Sequence, residues 1–152
     1  MLHAVQKRRD AYLPLLLLAD PSEEAVRRYL EVGELYAWLS EEDETIGVMH
    51  VLAEEEATPV VELKNVSVRE RYQGQGHGKQ MVEAVLTMLR QRGVREVKVA
   101  TGNSSIGNLA FYQKLGFRMT GIEHDYFLRE YSEPITENGI PCRDRIHFAR
   151  TL

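Results

Sequence analysis

Residues 60–93 read VVELKNVSVRERYQGQGHGKQMVEAVLTMLRQRG, and the hydrophobic period changes twice within them. Residues 60–68 alternate apolar and polar side chains, the period of a half-buried strand. Residues 69–78 are polar and glycine-rich. From Lys79 onward Met81, Val82, Val85, Leu86 and Leu89 recur at helical spacing, and Gly93 supplies a stop, so a helix is expected over 79–92. Residues 94–100 read as a further short strand. Strand, loop, helix and strand in that order make a crossover of the parallel type. Within the loop, Gln73-Gly74-Gln75-Gly76-His77-Gly78 alternates three glycines just before a helix start. Glycines let the backbone approach a ligand closely, and a helix start leaves N–H groups unpaired. The combination is an anion site suited to a phosphate or pyrophosphate.

Upstream, residues 11–18 are helix formers whose first turn accommodates Pro14. Ser22 is an N-cap candidate followed by Glu23 and Glu24, with Ala25, Val26, Tyr29 and Leu30 as an apolar face ending at Gly33. Residues 35–39 and 45–53 read as an antiparallel hairpin across the acidic turn 41–44, and a second acidic turn over 54–59 leads into the strand at 60. Downstream, a polar turn over 101–105 precedes a helix over 106–115 closed by Gly116. Residues 117–128 read as a strand, 129–142 as a long irregular connection with Asn138-Gly139, and 143–150 as a last strand. The whole is expected to be a mixed, mostly antiparallel sheet flanked by helices, of the α+β or α/β class.

The 152 residues suit one compact domain, and 43% apolar with 28% charged residues are ordinary for a packed core. A formal charge of -4 argues against a nucleic-acid partner and suits a cationic one better. Cys142 is the single cysteine, which excludes an internal disulfide and fits a reducing cytoplasm. The apolar run 15–18 is far too short to span a bilayer, so no membrane role is expected. His3, His50, His77, His124 and His147 match no metal-ligand spacing, and no metal is expected.

Spacing decides which phosphate ligand the loop suits. A P-loop would need glycine at position 73 and a hydroxyl at position 80, where Gln73 and Gln80 stand. A dinucleotide fingerprint would need glycine at position 79, which is Lys79. The spacing present is Gln-x-x-Gly-x-Gly, on Gln73, Gly76 and Gly78, and in this the chain resembles the GNAT family of N-acetyltransferases. A second block, Asn108-Leu109-Ala110-Phe111-Tyr112-Gln113-Lys114-Leu115-Gly116-Phe117, looks like that family's later segment, a tyrosine-bearing helix closing on Leu-Gly-Phe.

The resemblance implies that acetyl-CoA is the acyl donor and an amine the acceptor. It implies that Gln73, Gly74, Gln75, Gly76, His77 and Gly78, with Lys79, hold the pyrophosphate. Backbone groups of Val66 and Val68 would hold the pantetheine arm and the thioester oxygen. Asn103 and Asn108 would contact the cofactor, although Ser105 occupies the position where the family often has an asparagine. Tyr112 would protonate the departing thiolate. Glu62, eleven residues before Gln73, matches the general-base position of histone-acetylating members and shares a strand face with Val66 and Val68. Lys64 lies on that face too and could pair with Glu62, and many members use a chain of waters instead. Glu123, Asp125, Glu130, Glu133 and Glu137 either attract a cationic acceptor or form a solvated face. The expected activity is acetylation of a small-molecule amine. A protein lysine or N-terminal acetyltransferase, and a non-catalytic CoA-binding module, stand beside it, and the family leaves room for a homodimer.

Overall fold

The computed structural model describes residues 1–54 and 59–152, so the turn expected over 54–59 falls, at 55–58, outside the described residues. Two compact units are present, residues 1–95 with Leu152 and residues 96–151.

The first unit runs β1 (Leu2–Val5), a single 3-10 turn (Arg9–Tyr12), α1 (Leu13–Leu16), α2 (Glu23–Leu30), β2 (Glu34–Leu39), β3 (Thr45–Ala53), β4 (Val60–Val68) and α3 (His77–Gln91). Its four strands are neighbours in chain order and every pair is antiparallel. The Ser22 hydroxyl accepts from Ala25 N–H at 3.1 Å and caps α2, as its position before two glutamates suggests. Three expectations are revised. The first strand, β1, was not expected: four residues are too short to carry a period, and it exists through pairing with β2. The expected helix over 11–18 is divided into the 3-10 turn and a four-residue α1 that carries Pro14 in its first turn. The long helix α3 starts at His77, two residues early, because Gly76 adopts φ 86 and turns the chain straight into it.

In this unit α1 and α2 bury Leu13, Leu15, Leu16, Val26, Tyr29 and Leu30 with Leu35, Ala37 and Val48 of the sheet. Against the strands α3 packs its stripe of Met81, Val82, Val85, Leu86 and Leu89, all buried. The helix comes so near that a Cβ on Gly47 would lie 2.7 Å from Met81 Sδ and 2.6 Å from the Ser67 carbonyl oxygen. Two polar side chains of β4 are buried among these groups. The Asn65 amide donates to the Leu16 carbonyl at 3.0 Å and to the Tyr29 hydroxyl at 2.9 Å, and accepts from the Ser67 hydroxyl at 2.7 Å.

The second unit runs β5 (Glu96–Gly102), α4 (Ile106–Lys114), β6 (Arg118–Glu123), α5 (Tyr126–Glu130), a small hairpin of β7 (Thr136–Glu137) and β8 (Ile140–Pro141), and β9 (Arg145–Thr151). Here β9 lies between β5 and β6 and is antiparallel to both. The strand expected over 117–128 stops at Glu123, and α5 follows. Asp125 adopts φ 61, which ends an extended run. Its N–H donates to the Asp144 carboxylate at 2.9 Å and its own carboxylate pairs with Arg143 at 2.9 Å, both long-range contacts. Asn138 and Gly139, at φ 55 and 73, turn the small hairpin within the irregular connection.

An Asn65→Leu variant would keep the volume, strand the Ser67 hydroxyl in the core and take from the Tyr29 hydroxyl one of its partners. The expected loss is about 2–4 kcal/mol of unfolding free energy, read from the urea midpoint. A loss below about 1 kcal/mol would remove this amide as an anchor of β4.

Candidate functional site

The loop that leads out of β4 is braced before it opens. Past Val68 the pairing with β3 continues, because Arg69 N–H donates to the Ile46 carbonyl at 2.8 Å and its Nε to the Thr45 carbonyl at 3.0 Å. A 3-10 turn over Glu70–Tyr72 follows. Gln73 Nε2 then reaches back to the Val68 carbonyl at 2.8 Å, and Gln75 Nε2 to the Arg71 carbonyl at 3.0 Å. Both glutamine side chains are thus spent on the loop's own backbone. The glycines do the opposite. Gly74 and Gly76 adopt φ 74 and 86, and a Cβ on either would meet nothing within 4 Å, so the loop is a cradle open above its backbone.

At the end of the cradle stands the N-terminus of α3, fifteen residues long and without a side-chain cap. Its first helical bond runs from Gln80 N–H to the Gly76 carbonyl at 3.2 Å, which leaves the N–H groups of His77, Gly78 and Lys79 without helical partners. Their partial charges and the exposed Lys79 favour negative charge at this point. The His77 ring packs edge-on against Tyr72 at 5.5 Å between centroids. The residues present therefore fit a pyrophosphate.

Along β4 the burial alternates strictly. Val61, Leu63, Asn65 and Ser67 are buried, while Glu62, Lys64, Val66 and Val68 lie half-buried on the other face. The face expected to carry Glu62 with Val66 and Val68 thus exists, and Lys64 is indeed paired there, its Nζ 3.5 Å from Glu62 Oε1.

In the second unit Tyr112 is buried and its ring lies 5.6 Å from Phe117 and 6.0 Å from Phe148. Burial pushes its phenol well above the ordinary range, because apolar surroundings disfavour the phenolate. Exposed Asn108 donates to Thr101 Oγ1 at 3.3 Å. Asn103 is differently employed. Its Oδ1 accepts from Arg143 N–H at 2.9 Å and Asp144 N–H at 3.0 Å, and its Nδ2 donates to the Pro141 carbonyl at 3.2 Å. That side chain ties the turn before α4 to the segment before β9, and both ends of its amide are used in doing so. The Ser105 hydroxyl donates to Glu137 Oε1 at 3.1 Å.

Two of the five late carboxylates, Glu123 and Asp125, are paired with cations within the unit. Glu123 meets Arg145 at 2.9 Å, His147 at 3.1 Å and Arg129 at 3.6 Å, and Asp125 meets Arg143. Cys142 is buried against Gly102, and burial raises its thiol, so it packs rather than reacts.

The model of the acetyltransferase (GNAT) family matches residues 5–117. The uncharacterized N-acetyltransferase YvbK of Bacillus subtilis is 46% identical over 144 residues, which are 94% of this chain and 90% of that protein. The crystal structure of a Bacillus subtilis acetyltransferase in complex with CoA superposes with a TM-score of 0.90 at 42% identity, covering 99% of this chain and 97% of the other. That of a GNAT family acetyltransferase from Elizabethkingia anophelis with acetyl-CoA bound gives 0.92 at 38% identity, covering 100% and 97%.

Substituting Gly76→Asp would force a side chain into a left-handed backbone position and turn a carboxylate into the cradle. CoA affinity, titrated calorimetrically, should fall by at least about tenfold. Unchanged affinity would move the phosphate site away from this loop.

Proposed function

The chain belongs to the GNAT acetyltransferase family, and from that premise we propose that residues 1–152 act as one acetyltransferase domain whose acceptor is a cationic small-molecule amine. That it is an N-acetyltransferase using acetyl-CoA as donor follows from the family and from relatives that bind CoA and acetyl-CoA. The observation that carries the finer reading is the braced, open glycine loop continuous with a strand whose accessible face bears a carboxylate. A net charge of -4 suits a cationic acceptor, and the free Cys142 a reducing, cytoplasmic setting. Among the described residues no helix is long and apolar enough to cross a membrane.

The donor supplies an activated acyl carbon: the ammonium gives one proton to a base, the amine nitrogen bonds to the carbon and the carbon–sulfur bond breaks. The nitrogen loses a second proton as it becomes the amide, and the sulfur gains one, so that one proton is released overall. The protein's residues serve those needs in turn. N–H groups of the loop and of the first turn of α3 hold the phosphates, with Gln73 and Gln75 keeping the cradle in shape and Lys79 adding charge. Backbone groups of Val66 and Val68 orient the arm and stabilise the carbonyl oxygen as it gains charge. Only about one alkylamine in a thousand is unprotonated at neutral pH, so a base is needed. Glu62 takes that proton, exchanging its Lys64 partner for the acceptor's ammonium. Tyr112 gives its proton to the leaving sulfur and recovers one from solvent. Asn108 contacts the cofactor, and Asn103 acts through the turn it holds.

Two expectations test these roles. Tyr112→Phe should lower kcat by about 10²-fold or more while leaving CoA affinity within about twofold. Equal losses in both, or none in kcat, would return Tyr112 to a purely packing role. Glu62→Gln should lower the rate at neutral pH by at least about tenfold and recover as pH rises toward the acceptor's own pKa. A loss independent of pH would remove Glu62 as the base. The acceptor class is checked by thiol release with a panel of amino acids, polyamines and amino sugars against lysine peptides. Turnover confined to peptides would overturn the small-molecule reading.

A further inference from the structure

The glycine cradle does not hold its own shape; its base is pinned from outside by the tip of the β2–β3 hairpin. Ser40 N–H donates to the Glu44 carbonyl at 2.8 Å, and Glu44 N–H returns to Ser40 Oγ at 3.1 Å, so the hairpin turn is closed on itself. Asp43 adopts the left-handed φ 62 that such a closed turn requires. The Glu44 carboxylate is thereby presented in a fixed place. It accepts from the Tyr72 hydroxyl at 2.7 Å and forms an ion pair with Arg71, whose guanidinium carbon lies 5.0 Å from the centre of the Tyr72 ring. That ring also meets His77, the first residue of α3, edge-on at 5.5 Å. Arg71 in turn offers its carbonyl to Gln75 at 3.0 Å. Within the loop the Gln75 bond and the ring contact with His77 pass through Arg71 or Tyr72, while Gln73 bonds to the Val68 carbonyl through its side chain and to the Glu70 carbonyl, at 3.2 Å, through its N–H.

From this we propose that Glu44 is a positioning residue for the phosphate cradle, acting through Tyr72 and never touching the ligand. Its hydrogen bond fixes the Tyr72 ring, the ring fixes His77, and the start of α3 is then held at the distance that aims its free N–H groups into the loop. The inference rests on the cradle being the phosphate site. Its sign is counter-intuitive, which makes it testable. A carboxylate near a site for a polyanion should weaken binding by simple repulsion, so its removal should tighten CoA. A carboxylate that organises the donors should do the reverse. The ion pair with Arg71 is exposed and contributes little, whereas the bond from the Tyr72 hydroxyl has a charged acceptor and is the stronger of the two.

The experiment is calorimetric titration of CoA into the full chain and five variants, with each variant's melting temperature recorded. Glu44→Ala should weaken CoA binding by about tenfold. Glu44→Gln, which keeps an acceptor for the Tyr72 hydroxyl, should stay within about threefold of the unaltered chain. Tyr72→Phe should match Glu44→Ala, and the double variant Glu44→Ala/Tyr72→Phe should be no weaker than either single one, because both remove one hydrogen bond. Glu42→Gln, an exposed carboxylate on the same turn, should leave binding unchanged or tighter. Unchanged or tighter binding by Glu44→Ala would overturn the inference, as would additive losses in the double variant. Should Glu44→Ala melt below the working temperature, Tyr72→Phe with Glu44→Gln decides the same question. Failure of the unaltered chain to bind CoA would instead remove the phosphate reading of the cradle itself.

Discussion

Asn65 is the point on which the first unit turns. A strand that alternates between core and accessible face can slip by one residue only by exchanging every side chain between the two environments. In β4 the buried set includes an amide that satisfies a helix carbonyl, a tyrosine hydroxyl and a serine hydroxyl at once. A slip would bury Glu62 and Lys64 and leave that amide without partners, a penalty far above the few kcal/mol that separate a folded chain from an unfolded one. Polar burial here specifies register, where an all-apolar strand would merely add stability.

The functional geometry hangs from that register. With Val61, Leu63, Asn65 and Ser67 inward, Glu62, Val66 and Val68 necessarily share the accessible face, and the strand delivers Val68 to the first residue of the loop. Close approach at Gly47 sets α3 against the sheet, which fixes where the far end of the loop must arrive. Between those two fixed ends the chain spans a short path with left-handed glycines. Nothing fills the space above them, and the dipole of a fifteen-residue helix points into it. A phosphate placed there would be met chiefly by backbone, since the side chains of Gln73 and Gln75 are occupied in holding that backbone still.

The second unit divides its polar groups differently. Two of its carboxylates are matched locally, with Glu123 among Arg129, Arg145 and His147, and Asp125 on Arg143. These exposed pairs shape the connection between β6 and β9 more than they stabilise it. The ring of Tyr112 belongs to an aromatic cluster with Phe117 and Phe148, and the same burial raises its phenol. A residue of this kind reads in sequence as a core aromatic and as a catalytic one with equal justice.

Local signals carried the reading wherever period and spacing act within a few residues. The alternation of residues 60–68, the helical stripe from Met81 to Leu89, the Ser22 cap and the glycines at 74, 76 and 78 were all legible, and with them the fold class and the open glycine loop. Three kinds of feature were not. The strand β1 is too short for a period and depends on a partner strand for its hydrogen bonds. The break after Glu123 depends on Arg143 and Asp144, some twenty residues away. The partnership of Glu44 with Tyr72 joins positions 28 apart, and the commitment of Asn103 to Pro141, Arg143 and Asp144 joins positions about 40 apart. Sequence by itself determined which residues turn, cap and alternate, because those preferences belong to the chain's own dihedrals. Only the tertiary structure decided which polar groups are already spent and which remain free for a ligand, because hydrogen-bond partners are settled by distance in space.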